Sequence, residues 1–238
     1  MSTSEQRIAE NVARVRLAIA QAAVRSGRRA EDVTLIAVSK YVGVAEIDAL
    51  LAAGCRDLGE NRPQDLWRKA EQLRDRPIRW HMIGHLQRNK ARRTLPLVTL
   101  LHAGDSWRLL EAASQHLQQS GQTLDVLIEV NVSGDAAKHG FQPEEVEPLL
   151  PPLAQLPQLR VRGLMAMARW GGTRDEARGD FVRLRQLRDR LAASCPPQIS
   201  LHELSMGMSG DFGVAIEEGA TMVRIGSALF EGVQLEHQ

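Results

Sequence analysis

Lys40 closes the run Ala37-Val38-Ser39-Lys40. At the C-terminal end of a barrel strand, a partly desolvated lysine can form a Schiff base with an aldehyde. By position alone, a lysine snorkelling to solvent is the simpler account. Farther along, Ser205-Met206-Gly207-Met208-Ser209-Gly210-Asp211 reads as a small-residue loop entering a helix, where free backbone N–H groups suit an anion. Arg224-Ile225-Gly226-Ser227 ends the last apolar run with another glycine and a hydroxyl. If these segments follow the seventh and eighth strands of a barrel, they sit where such barrels bind phosphate. Ordinary turns are the alternative. Arg224 alternates with Val223 and Ile225, so it points away from both. A surface or ion-paired arginine is one account, and a partner for a cofactor ring nitrogen is the other. Sites for pyridoxal 5′-phosphate (PLP) pair that nitrogen with Asp or Arg. Arginine stays protonated, so it donates a hydrogen bond and discourages protonation of the pyridine. An unprotonated ring is a weaker electron sink, suited to limited chemistry or none.

Other polar groups carry less. His81 and His85 would share a strand face, but no third metal ligand lies at a persuasive spacing and there is no H-E-x-x-H helix. Hydrogen-bonded barrel histidines are the default there. Gln87 to Arg93 is locally basic without interleaved aromatics, which reads as a solvated helix face rather than a nucleic-acid surface. Asn131 to Gly134 and Lys138-His139-Gly140 read as a structured loop, and Met165 and Met167 as core.

The elements that must position these residues follow from periodicity. Ile8, Val12, Val15, Ile19 and Ala23 form one helical stripe, with Ser2 and Glu5 as a capping box and Gly27 as the stop. Short apolar runs then alternate with amphipathic stretches: 33–38, 56–60, 78–83, 98–102, 124–132, 161–167, 199–204 and 222–225. Phe181, Leu184, Leu187 and Leu191 mark the clearest helix between them. Pro143 to Pro157 reads as a short helix with proline-marked ends. Several runs are apolar on both faces, as in covered parallel strands. The economical architecture is α/β, a single (β/α)8 TIM-type barrel at about 33–232 with an extra N-terminal helix at about 3–26. An open doubly wound sheet is the runner-up. The 238 residues, 43% hydrophobic and 25% charged, are ordinary globular composition. A net charge of +1 supplies no global field toward nucleic acid or anionic membrane. Two distant cysteines, Cys55 and Cys195, make no disulfide framework, and the polar start and lack of long apolar runs lead us to expect a cytoplasmic protein.

Taken in order, eight segments resemble the YggS/PROSC family of PLP homeostasis proteins. They are Ala-Val-Ser-Lys at 37–40, Gly-Glu-Asn at 59–61, Trp-His at 80–81, Leu-Gln-Arg-Asn-Lys at 86–90, Val-Asn-Val-Ser-Gly at 130–134, Gly-Leu-Met-Ala-Met at 163–167, Ser-Met-Gly-Met-Ser at 205–209 and Arg-Ile-Gly-Ser at 224–227. The resemblance runs from about Val33 to the end. It implies a barrel like the N-terminal domain of alanine racemase, holding PLP as an aldimine on Lys40. Arg224 would face the pyridine nitrogen. Ser205, Gly226 and Ser227 would hold the phosphate. Asn61, His81 and Met165 would line the pocket, and Met206 falls among the cofactor contacts. Family members are regarded as carriers or buffers of a reactive aldehyde, with PLP-dependent apoenzymes as possible recipients, and no reaction is firmly attributed to them. The resemblance favours a monomer.

The chain departs from the family pattern in places. After Lys40 it continues Tyr41-Val42-Gly43 where many relatives have Thr-Lys-Pro, and so lacks the second lysine. His85 stands where relatives often have proline or alanine, and Ser227 where they have threonine. Glu231 stands where many pass straight to glycine. The competing reading is a PLP-dependent amino-acid racemase. Racemisation needs acid/base groups on both faces of the bound substrate. The related racemases take the second, a tyrosine, from another domain. The single tyrosine here, Tyr41, adjoins Lys40 and, if the strand continues, points the other way.

Overall fold

The computed structural model describes residues 3–135, 138–169 and 171–234. Strands β1 (Thr34–Val38), β2 (Asp57–Glu60), β3 (Arg79–Met82), β4 (Leu100–Gly104), β5 (Leu124–Glu129), β6 (Leu159–Met165), β7 (Glu203–Ser205) and β8 (Met222–Ile225) are all parallel and close in sequence order into one barrel. The intervening helices are α2 (Val44–Ala52), α3 (Pro63–Gln72), α4 (Arg88–Thr94), α5 (Trp107–Ser120), α6 (Pro143–Leu153), α7 (Arg174–Ala192) and α8 (Phe212–Glu217). This is the expected (β/α)8 barrel, and the open sheet is ruled out because β1 pairs with β8, Ile36 opposite Arg224.

The additional helix α1 (Thr3–Arg25) buries Ile8, Val12, Val15, Ile19, Ala22 and Ala23, the stripe its spacing predicts. It packs against α2, α8 and a terminal 3-10 turn at Ser227–Leu229. Gly27 follows it at φ +69°. Ser2, the expected cap, lies outside the described residues. Asn11 of α1 donates its side-chain amide to the carbonyls of Leu229 (3.1 Å) and Glu231 (2.9 Å). The first helix thereby holds the last turn.

Four strands differ from the expected runs by two residues or more: β5 ends at Glu129, β6 spans Leu159–Met165, and β4 and β7 start late. Strand β4 starts two residues late because Leu95–Leu97 coils as a 3-10 turn around Pro96, closed by the Val98 amide on the Leu95 carbonyl. Strand β7 is only Glu203–Ser205; Ile199 and Leu201 are buried in the approach to it. There β6 and β7 run so close that a Cβ on Gly163 would sit 1.9 Å from the Glu203 carbonyl oxygen. The proline-rich segment forms α6 with Pro143 in its first turn, but Pro148, Pro151 and Pro152 lie inside the helix rather than marking its end. Each removes a backbone donor. The buried face of Val146, Leu149, Leu150 and Leu153 compensates. Helix α7 buries Phe181, Leu184, Leu187 and Leu191, as its periodicity requires.

Candidate functional site

Residues along each strand alternate between helix layer and barrel interior, and the interior is where the polar side chains gather. Arg224 on β8 is buried, and its guanidinium donates to the Ser205 carbonyl (2.8 Å), the Ser205 hydroxyl (2.6 Å) and the Ala166 carbonyl (3.0 Å). Donor capacity remains beyond these three bonds. Burial brings its pKa down to about 10, with Glu129 and Asp211 acting the other way, so it stays a cation at neutral pH. The Ser205 hydroxyl also meets His102 Nδ1 at 2.8 Å. His102 Nε2 meets His81 Nδ1 at 2.9 Å, and His81 Nε2 meets Asp57 Oδ1 at 3.2 Å.

The two ends of this chain fix its direction. Arginine can only donate, and the Asp57 carboxylate can only accept. Burial raises the Asp57 pKa, but hydrogen bonds from Arg79 and His81 outweigh it and hold the group at about 2. Burial, helped by His81 and Arg224, holds His102 neutral. The consistent assignment is therefore Arg224 to Ser205, Ser205 to His102 Nδ1, His102 Nε2–H to His81 Nδ1, and His81 Nε2–H to Asp57. It ties β8, β7, β4, β3 and β2 together across the barrel.

At the C-terminal rim, Lys40 lies in a turn just past β1. Because the strand ends at Val38, alternation does not carry through Tyr41. The Lys40 ammonium lies 4.7 Å from the centroid of the Tyr41 ring, so the tyrosine is beside the lysine and not opposed to it. The residue before the lysine is anchored. The buried Ser39 donates its hydroxyl to Glu60 Oε1 (2.7 Å). Lys69 of α3 donates to both the Ser39 carbonyl (2.6 Å) and Glu60 Oε1 (2.7 Å). Burial pushes the Glu60 carboxyl up, while Lys69 and Ser39 hold it down less strongly.

On the adjoining part of the rim, the loop after β7 turns at Gly207, φ +92°, where a Cβ would come within 2.5 Å of the Ala215 Cβ. The Gly207 carbonyl accepts the Arg224 amide at 3.0 Å. Ser209 then stands over the end of β8, its hydroxyl accepting from the amides of Gly226 (3.2 Å) and Ala228 (3.4 Å). Two backbone donors thus converge beside the exposed Ser227.

The sequence-derived site residues divide accordingly. Lys40, Asn61, Gly226 and Ser227 are on the rim. Asn61 backs onto Gly84, whose Cβ would sit 2.4 Å from the Asn61 carbonyl oxygen, and shares an open cleft with His85. His81, Ser205 and Arg224 lie in the interior relay. The Ser205 hydroxyl is already engaged there, and this makes it a support for Arg224 rather than a free phosphate donor. Met165 is fully buried among Leu100, Ala103 and Leu127. Met206 packs its side chain in the helix-facing core and gives its amide to the Met222 carbonyl. Sequence reasoning missed His102, Glu129 and Lys69, and it quoted Glu60 and Ser209 within segments without giving either a role of its own. Each of the first two is a lone polar residue inside an apolar strand, a signal that was present in the sequence. Glu129 is raised to about 7, by burial first and by the Asp105 charge second.

Comparison with known proteins gives a consistent picture. Residues 5–233 match the family described as alanine racemase, N-terminal domain. A pyridoxal phosphate homeostasis protein of Pseudomonas aeruginosa is 42% identical over 223 residues, covering 94% of each chain. One from Aquifex aeolicus is 39% identical, covering 93% of this chain and 96% of its own. Among solved structures, PipY of Synechococcus elongatus with PLP bound superposes with a TM-score of 0.84 at 38% identity, covering 94% of this chain and 99% of that one. An alanine racemase of Clostridium difficile, 17% identical with a TM-score of 0.69, shares the fold; 92% of this chain matches 56% of that one.

Proposed function

This chain belongs to the pyridoxal phosphate homeostasis family, and from that premise we propose that it binds PLP at the C-terminal mouth of its barrel, in PLP homeostasis, with Lys40 as the covalent anchor. One observation carries the reading: a buried, permanently charged arginine, fixed on its far side by Ser205 and Ala166, with donors to spare. Such a group suits a ring nitrogen that is to remain unprotonated. The Gly226 and Ala228 amides, with Ser209 and Ser227, suit the phosphate, since converging backbone donors favour anions. Asn61, His81 and Met165 contribute walls, and Ser205 and Met206 act from behind. The Ser39–Glu60–Lys69 cluster holds the backbone from which Lys40 projects.

PLP, when bound, supplies an aldehyde that takes up amines reversibly and a ring that can withdraw electrons. The residues here favour storage of that aldehyde over turnover. Arg224 keeps the ring a weak electron sink. The single tyrosine, Tyr41, is 75% exposed and adjoins the lysine, so it offers no second base on an opposite face. We therefore read the protein as a monomeric, cytoplasmic buffer that passes PLP to apoenzymes. No described helix is long and apolar enough to cross a membrane.

The test is a visible spectrum of the purified protein, borohydride reduction, and peptide mapping by mass spectrometry. A yellow band lost on reduction, with phosphopyridoxyl on Lys40, is the expected result. Absence of a band after added PLP, or label on another lysine, would overturn it. Lys40-dependent exchange of an amino acid's α-proton in heavy water would instead favour the racemase.

A further inference from the structure

We propose that His85, Asp105 and His139 form a site for a first-row divalent transition-metal ion, on the part of the rim above β3, β4 and β5. The three residues come from three different strand ends. His85 follows β3, Asp105 is the first residue after β4, and His139 lies in the loop after β5. Their spacing in sequence carries no motif; closure of the barrel brings them together. One potential ligand atom from each lies within 4.8 Å of the others.

Two observations distinguish this cluster from a chance grouping. First, the Asp105 side chain is 2% exposed; its Oδ2 lies 2.5 Å from His85 Nδ1, while its Oδ1 is buried with no hydrogen-bond partner among the described residues. A buried carboxylate oxygen left unmatched is costly. Second, the His85 and His139 rings stack, centroids 4.2 Å apart and 11° from parallel. The stack sets a second imidazole beside the one already bound to Asp105, with a ligand atom of each within reach of the carboxylate. A simple His85–Asp105 ion pair accounts for one oxygen of Asp105 but leaves both the other oxygen and the second imidazole unexplained.

The donor set selects the ion. Two imidazoles and one carboxylate suit Zn, Co, Ni or Cu(II), whereas Mg and Ca prefer all-oxygen cages. Ligand atoms around tetrahedral Zn stand about 3.4 Å apart, given bond lengths of about 2.0–2.1 Å. His139 must therefore close by up to about 1.4 Å, which its exposed position next to Gly140 at φ +104° allows, while the His85–Asp105 contact at 2.5 Å opens by about 0.9 Å to admit the ion. Both histidines are exposed, so coordination positions remain open to water or to a carboxylate-bearing small molecule.

The test is calorimetric titration of the chelator-treated full chain with ZnCl2, and the visible spectrum with CoCl2. We expect one equivalent to bind with a tetrahedral or five-coordinate Co(II) spectrum. His139→Ala, a surface change that leaves the fold intact, should weaken Zn at least tenfold, and Asp105→Asn should do the same with an unchanged far-UV circular dichroism spectrum. His116→Ala, at a histidine outside the cluster, should have no effect. Binding that is absent, or that survives both His139→Ala and His85→Ala unchanged, would overturn the proposal. The PLP band on Lys40 is read separately, so loss of one result leaves the other standing.

Discussion

The two faces of the barrel sheet are built from alternate residues of the same strands, yet they differ in kind. Facing the helices are Leu58, Met82, Leu101, Val126, Ile128, Leu164, Leu204, Val223 and Ile225, all fully buried and apolar. Facing the interior are the polar His81, His102, Glu129, Ser205 and Arg224, together with a small apolar group that includes Leu100, Leu127 and Met165. On β8 the switch occurs within three residues, Val223-Arg224-Ile225, and on β3 within Trp80-His81-Met82. A one-residue slip would exchange the two sets. The outer face therefore fixes the register, and the inner face depends on it. Apolar packing is concentrated on one surface and buried polar groups on the other, and the Glu60–Lys69 pair departs from this as a charged cluster in the helix layer.

The sharpest way to break this division is to damage the outer face and watch the inner one. Phe181 of α7 is completely buried, so Phe181→Ala should cost about 3–5 kcal/mol of unfolding free energy. If the division holds, the fraction that stays folded keeps an unchanged PLP absorption maximum; a shifted maximum would mean that the faces are coupled. The exception is tested next. Lys69→Met leaves Glu60 buried without its cation and should cost about 3 kcal/mol, most of it recovered in Lys69→Met/Glu60→Leu. Chemical denaturation of the two variants decides whether the pair stabilises the fold or chiefly orients the turn carrying Lys40.

Changes to the inner face should move ligand readouts more than melting temperature. Arg224→Gln removes charge-assisted hydrogen bonds worth about 1.5–3 kcal/mol, which corresponds to roughly 10- to 100-fold weaker PLP binding. Its band should shift as the ring nitrogen is freed to protonate; an unchanged spectrum would mean that Arg224 does not touch that nitrogen. The smallest effect is expected at the far end of the relay. The folded pKa of Asp57, about 2, lies below the ordinary 3.8. Its contribution is complete above the unfolded value and is lost as pH falls from about 5 toward 2. The difference amounts to about 2 kcal/mol. Thermal melts at pH 5 and pH 2.5 should differ less for Asp57→Asn than for the unchanged chain.

Much of the architecture was legible because burial leaves a period in the sequence. The stripe of α1, the Phe181–Leu191 face and the strand runs each announce what they cover. A strand end and an alternation place Lys40 and Arg224 without knowledge of any neighbour, although only the family resemblance gave them a role. What remained hidden were relations between strands. His81 and His102 are 21 residues apart, and His102 and Ser205 are 103 apart. Only the closed register of the barrel makes them partners. The same holds for Asp105 and His139, whose approach to His85 no spacing rule encodes. Tyr41 was misplaced for a local reason: β1 ends before Lys40, and alternation cannot be extended through a turn.

Asn11 gives the first helix a task that the eightfold repeat does not assign to it. Its amide grips Leu229, the last residue of the turn that carries the Ala228 amide to Ser209, and Glu231 just beyond it. Helix docking and anion capture thus act as a clasp and its pin. The segment after β8 is thereby braced from outside the barrel, by a helix that lies apart from the strands whose last turn it holds.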